Sequence, residues 1–217
     1  MREQFQEELG EVNNTLVKMA GLVQVAMNNA TTALLTADLT LAEKVIADDS
    51  IIDEIQHDLD ARTIDLIARQ SPVATDLRAL VSSLRMSADL ERMGDLAHHI
   101  AKSARMRYPA TAVPPELSLT IEDMGRVCAK IIEKVSVVLE KRDTNLALEV
   151  EKDDDEIDGL HRKIIQTLLD PTWKHGVETA IDMTLLGRYY ERCADHTVSI
   201  ARRVYFLVTG SYANDRA

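Results

Sequence analysis

The run Met86-Ser87-Ala88-Asp89-Leu90-Glu91-Arg92-Met93-Gly94-Asp95-Leu96-Ala97-His98-His99-Ile100-Ala101 returns, degenerate but in register, 100 residues later as Leu186–Ala201. The matching positions are Met86/Leu186, Leu90/Tyr190, Glu91-Arg92/Glu191-Arg192, Asp95/Asp195, Ile100/Ile200 and Ala101/Ala201. Upstream, Asp48, Asp49, Asp53 and Ile55 match Asp153, Asp154, Asp158 and Leu160 at an offset of 105. The chain is a duplication of Val45–Ala101 as Val150–Ala201, so a fold that serves one half should serve the other. The change of offset is expected in the connections, Gln70–Leu77 and Leu169–Glu178, because loops accept deletions that helix interiors do not.

Within each copy the apolar positions follow a helical period. Met86, Leu90, Met93, Ala97 and Ile100 recur at 4-3-4-3 spacing, Leu186, Cys193, Ile200, Val204 and Leu207 follow the same face at 7-7-4-3 on the equivalent stretch, and strand-like alternation is absent. Composition agrees: 46% of the 217 residues are hydrophobic but only 4% aromatic, with 8 Gly and 5 Pro, which points to a helical core of Leu, Ile, Val, Ala and Met. Helices are predicted over Gln4–Thr36, Leu39–Gln70, Ala74–Met106, Leu117–Lys141, Asn145–Leu169 and Val177–Leu207. Breaks fall at Ala37-Asp38, Ser71-Pro72, Asp143-Thr144 and Asp170-Pro171. Pro109, Pro114 and Pro115 interrupt the centre of the chain and read as a stiffened linker. The expected fold is all-α: two tandem, similar three-helix bundles of long antiparallel helices, residues 1–108 and 116–217, joined by residues 109–115, each with its own core. One continuous six-helix body is the competing arrangement. The tail from Gly210 is polar and expected to fray.

Positions i and i+4 of a helix share a face, about 40° apart and one turn along. Four acidic pairs have that spacing: Asp49/Asp53, Glu91/Asp95, Asp154/Asp158 and Glu191/Asp195. On the third and sixth helices the acids lie opposite the apolar stripe, so they should face away from the core, and antiparallel packing can set a second-helix pair beside a third-helix pair. Acids on the solvent side of a helix are ordinary, and such a pair costs only about 0.2–0.5 kcal/mol in repulsion. Their recurrence at matching positions, where most other identities are gone, favours a use. Carboxylate oxygens without thiolates suit hard cations such as Mg²⁺, Ca²⁺, Mn²⁺ or iron, with Zn²⁺ a less natural choice. His98 follows Asp95 by one turn and is a candidate auxiliary ligand.

The formal charge of −11 argues against nucleic acid as the main partner. Cys128 and Cys193 form no C-x-x-C pattern and read as reduced, packed side chains. The start of the chain has no signal pattern, and no apolar stretch approaches the ~18 residues of a membrane span, so a soluble cytoplasmic protein without direct membrane insertion is expected.

Ala88-Asp89-Leu90-Glu91-Arg92-Met93-Gly94-Asp95-Leu96-Ala97 and Tyr190-Glu191-Arg192-Cys193-Ala194-Asp195-His196 resemble the paired E/D-x-x-x-D motifs of the PhoU family, accessory proteins of the bacterial phosphate-specific transport system. Gln70-Ser71-Pro72-Val73-Ala74-Thr75-Asp76-Leu77-Arg78 is similar to the family's corner before the first motif, and the early Phe5-Gln6-Glu7-Glu8-Leu9 also fits, so the likeness covers essentially the whole chain. The resemblance implies two three-helix bundles whose acidic motifs bind divalent or trivalent metal ions (Mg, Mn, Fe or Zn). Carried over residue by residue, the metal candidates are Asp49, Asp53, Glu91 and Asp95 in the first copy and Asp154, Asp158, Glu191 and Asp195 in the second. It further implies a non-catalytic negative regulator, expected as a homodimer, that restrains the transporter ATPase PstB and the sensor histidine kinase PhoR when phosphate is plentiful. The second copy departs from the pattern, with Tyr189 in place of Asp89 and no Pro-Val-Ala-x-Asp-Leu-Arg corner.

Two other readings compete. Carboxylate-bridged metalloenzymes also use helical acids, and Glu54/His57 is an E-x-x-H; that architecture, however, needs two inward-facing motifs in one four-helix bundle. A metal-free helical adaptor, its acidic faces meeting basic partner surfaces, differs from the regulator only in the cation. No nucleophile triad, phosphate loop or H-E-x-x-H appears in the sequence.

Overall fold

A computed structural model describes residues 2–211; Met1, the side chain of Arg2 and residues 212–217 lie outside the description, and with them most of the tail expected to fray. The six predicted helices are present: α1 (Arg2–Thr36), α2 (Leu39–Gln70), α3 (Ala74–Arg107), α4 (Pro115–Lys141), α5 (Thr144–Leu168) and α6 (Gly176–Thr209).

Their ends follow local chemistry. Asp38 and Asp143 are the N-caps of α2 and α5, accepting from Leu41 N at 2.9 Å and from Asn145 N and Leu146 N at 2.9 and 3.0 Å. Gly210 closes α6 in the left-handed region (φ 77°), where a side chain would be strained. Helix α4 begins two residues earlier than predicted, because Pro115 occupies the first turn, where a missing N–H costs nothing. The offset change also sits elsewhere than expected. Helix α5 has 25 residues against 32 in α2, so the shortening lies in the helix end, and the loop to α6 is the longer of the two.

Helices α1, α2 and α3 pack together, as do α4, α5 and α6. The trios join through α1 against α4 and α3 against α6. Helices α1, α3, α6 and α4 thus form a central square with α2 and α5 on opposite flanks. The expected separate cores are replaced by one: Leu16, Met27, Leu90, Met93, Met124, Ile131, Leu186, Tyr190 and Ile200 belong to a single buried cluster. The joining segment is packed into the body as well, with Ala112 and Val113 buried. Across the square, Thr31 on α1 and Tyr190 on α6 share a buried hydrogen bond of 2.8 Å. Among the described residues no helix is long and apolar enough to cross a membrane.

Candidate functional site

Each flanking helix lays its acid pair beside that of its neighbour. On the first face, Asp49 and Asp53 of α2 meet Glu91 and Asp95 of α3. Gly94 permits the approach: a Cβ there would lie 3.0 Å from Ile52 Cδ1 and 3.6 Å from Asp49 Oδ1. The expectation that these acids simply face outward needs correcting. Asp49 retains 11% of its side-chain exposure and Glu91 21%, because α2 and α3 close over them. Burial, followed by the charges of Asp49 and Asp95, raises the Asp53 pKa. Burial and then Asp95 raise that of Glu91 against the relief given by Arg92. Arg92 spans the third-helix pair, 2.6 Å from Asp95 Oδ2 and 3.5 Å from Glu91 Oε2. His98 binds Asp49 through Nδ1, and its Nε2 is buried with no partner among the described residues.

The second face repeats the arrangement with Asp154 and Asp158 on α5 and Glu191 and Asp195 on α6. Burial, then Asp158, Asp195 and Asp155, push the Asp154 pKa up to about 6, and its Oδ1 is buried without a partner among the described residues. Arg188 pairs with Glu191, as Arg92 does in the first copy. The imidazole here is His161 of α5, with Nδ1 3.9 Å from Glu191 Oε2 and Nε2 buried and unpartnered among the described residues. It fits because Gly187 faces it, where a Cβ would come within 3.0 Å of His161 Cδ2. The i,i+3 spacing of Asp158 and His161 was the available signal for this residue, and position 198, equivalent to His98, is a valine.

Among the described residues, no three His, Cys, Asp or Glu side chains converge into a closed metal centre. The faces are instead open carboxylate fields, each with an excess of negative charge and buried donor atoms lacking partners. That chemistry fits a hard cation taken up with part of its water shell. The eight carboxylates and the two imidazoles would hold it, once Arg92 and Arg188 swing away. Cys128 and Cys193 are buried free thiols in the core and take no part.

A third polar cluster lies between the trios. Asp89 of α3 accepts from His196 Nδ1 at 3.0 Å, Ser199 Oγ at 2.9 Å and Arg203 Nε at 3.5 Å, all on α6. Burial would raise its pKa, but the hydrogen bonds of His196 and Ser199 and the nearby positive charge outweigh it and hold the carboxyl low. At the repeat-equivalent position, Tyr189 of α6 stacks on His99 of α3, ring centres 5.3 Å apart. The departure of the second copy from the repeat thus has a structural role: Asp89 and Tyr189 sit at related places on two helices that cross each other, and each supplies a different contact.

Comparison with known proteins follows the duplication. The PhoU domain is matched twice, over residues 16–104 and 121–204. The chain is 45% identical to "Phosphate-specific transport system accessory protein PhoU homolog 2" of Mycobacterium tuberculosis, over 98% of this chain and 100% of that one. It is also 45% identical to homolog 1 of Mycobacterium leprae, over 99% and 97%. The crystal structure of PhoU from Pseudomonas aeruginosa superimposes with a TM-score of 0.86 at 28% identity, covering 95% of this chain and 100% of the other. The phosphate transport system regulatory protein PhoU from Streptococcus pneumoniae gives 0.84 at 25%, covering 96% and 99%. With both repeats matched, near-complete coverage and the same six-helix fold, the chain belongs to the PhoU family.

Proposed function

We propose that this protein is a cytoplasmic, non-catalytic regulator of phosphate uptake and phosphate-starvation signalling. It restrains the ATPase of the phosphate transporter (PstB) and the sensor histidine kinase (PhoR) when phosphate is plentiful, acting as a homodimer through protein contacts. Its two carboxylate faces bind metal ions from the Mg, Mn, Fe and Zn group. The observation that carries this reading is the duplicated four-carboxylate face, half-buried and short of positive charge, in a chain so close in sequence to accessory proteins of phosphate-specific transport systems.

Two measurements test it. Deletion of the gene should raise phosphate-starvation output in phosphate-rich medium; unchanged output counts against the regulatory role. Protein purified without chelator should carry metal that the Glu91→Gln/Asp95→Asn variant loses in part. If the wild type carries none and binds its partners equally well after chelation, the metal-free adaptor is the better description.

A further inference from the structure

Between α3 and α6, on the side toward which Arg92 and Arg188 reach, lies a cleft of about 450 Å³. Three guanidinium groups (Arg92, Arg188, Arg192) and two imidazoles (His99, His196) line it, together with one carboxylate, Asp95. In a chain of net charge −11 this is an unusual gathering of cationic side chains. Its size falls within the roughly 300–1,000 Å³ of small-molecule sites. Guanidinium groups offer paired N–H donors that match phosphate oxygens, and the stacked His99–Tyr189 rings form a flat wall.

The arginines are not equivalent. Arg192 makes no ion pair among the described residues and lines the cleft as an exposed side chain. Arg92 and Arg188 each stand on a boundary: they line the cleft, yet their charge is drawn to Asp95 and Glu91 on one face and to Glu191 on the other. A cation on those carboxylates would compete with the arginines for the same oxygens and free them toward the cleft.

We propose that the α3/α6 cleft binds a phosphate-type oxyanion, with the unpaired Arg192 as its anchor and Arg92 and Arg188 shared between the anion and the carboxylate faces, so that cation and anion favour each other. The cation dependence rests on the metal reading above; the anion site does not. Inorganic phosphate and the phosphates of a nucleotide present the same oxygens, and the test separates them.

Calorimetric titration of the full chain at low ionic strength, with inorganic phosphate and with adenosine diphosphate, each with and without Mg²⁺, is the experiment. At least one ligand should bind, with affinity falling about tenfold or more in Arg192→Gln, and Mg²⁺ should tighten binding several-fold. The variant D49N/D53N/D154N/D158N, which removes four negative charges from the adjoining faces, should bind the anion at least as tightly as wild type without Mg²⁺ and lose the enhancement. Binding of phosphate alone identifies the free ion as ligand, whereas binding of the diphosphate only assigns the cleft to a nucleotide. If neither ligand binds under either condition, or if Arg192→Gln binds as well as wild type, the anion site is refuted, even where Mg²⁺ itself binds and the metal reading survives. Arg192-dependent binding with no response to Mg²⁺ leaves the cleft standing and refutes the coupling.

Discussion

At pH 7 the Asp154 carboxylate must hold its charge beside Asp158, Asp195 and Asp155, with Oδ1 buried and unpartnered among the described residues. Its pKa of about 6 lies above the unfolded value of 3.8, so its contribution to stability is fully present below about pH 3.8 and is lost as pH rises through about 6. In the presence of chelator, Asp154→Asn should stabilise the chain at pH 7.5 by about 1 kcal/mol after solvent screening, or about 2–4 °C in Tm, and have little effect near pH 4. Thermal melts of the two proteins across that range check this; parallel pH profiles would remove the electrostatic account of the face. The same substitution should weaken cation uptake, because the group that strains the empty face is one that would hold the ion.

Helices α1 and α4 come together where Gly125 faces Thr31. A Cβ on Gly125 would lie 2.4 Å from Thr31 Cγ2, and Thr31 is held in place by its bonds to Met27 O and Tyr190 Oη. Alanine would gain up to about 1 kcal/mol in helix propensity but overpack a β-branched, buried neighbour at a cost of about 1–3 kcal/mol. Gly125→Ala is expected to lower Tm by a few degrees, and adding Thr31→Ser, which removes the clashing methyl, should recover part of the loss. A Gly125→Ala protein that melts at or above wild type would show that the α1/α4 contact is looser than described. At the far end of the second trio, shortening of α5 leaves Leu169, Val177 and Ile181 exposed around a longer loop, where Trp173 Nε1 donates to Gly176 O at 2.9 Å.

The trios behave as one body because the core is continuous and because Asp89 ties α3 to three residues of α6. Asp89→Ala leaves His196 and Arg203 without that acceptor and should cost about 2 kcal/mol, less than a fully buried network because the site retains some solvent contact. Its lowered pKa means the stabilisation is complete above about pH 3.8 and fades as pH falls through the folded value, so the variant and wild type should converge only in strong acid. Faster amide hydrogen exchange in both α3 and α6 is the expected signature. Unchanged exchange in α6 would mean that hydrophobic packing alone holds the halves together.

Helical period, the breaks at Ala37-Asp38, Ser71-Pro72 and Asp143-Thr144 and the four acid pairs at i,i+4 were all legible in the sequence, since each depends on residues within a turn or two of one another. The duplication likewise made the pairing of faces readable, because what α2 does against α3 is repeated by α5 against α6. Other features appear only when distant segments meet. The shared core, His98 on Asp49, His161 behind Gly187, the Asp89 link across 107 residues and the arginine cleft all depend on where whole helices cross. No local pattern encodes those crossings. They are set by the combined fit of side chains along four central helices, so tertiary packing alone decided that acids written as an outward face would be half-closed and short of counter-charge.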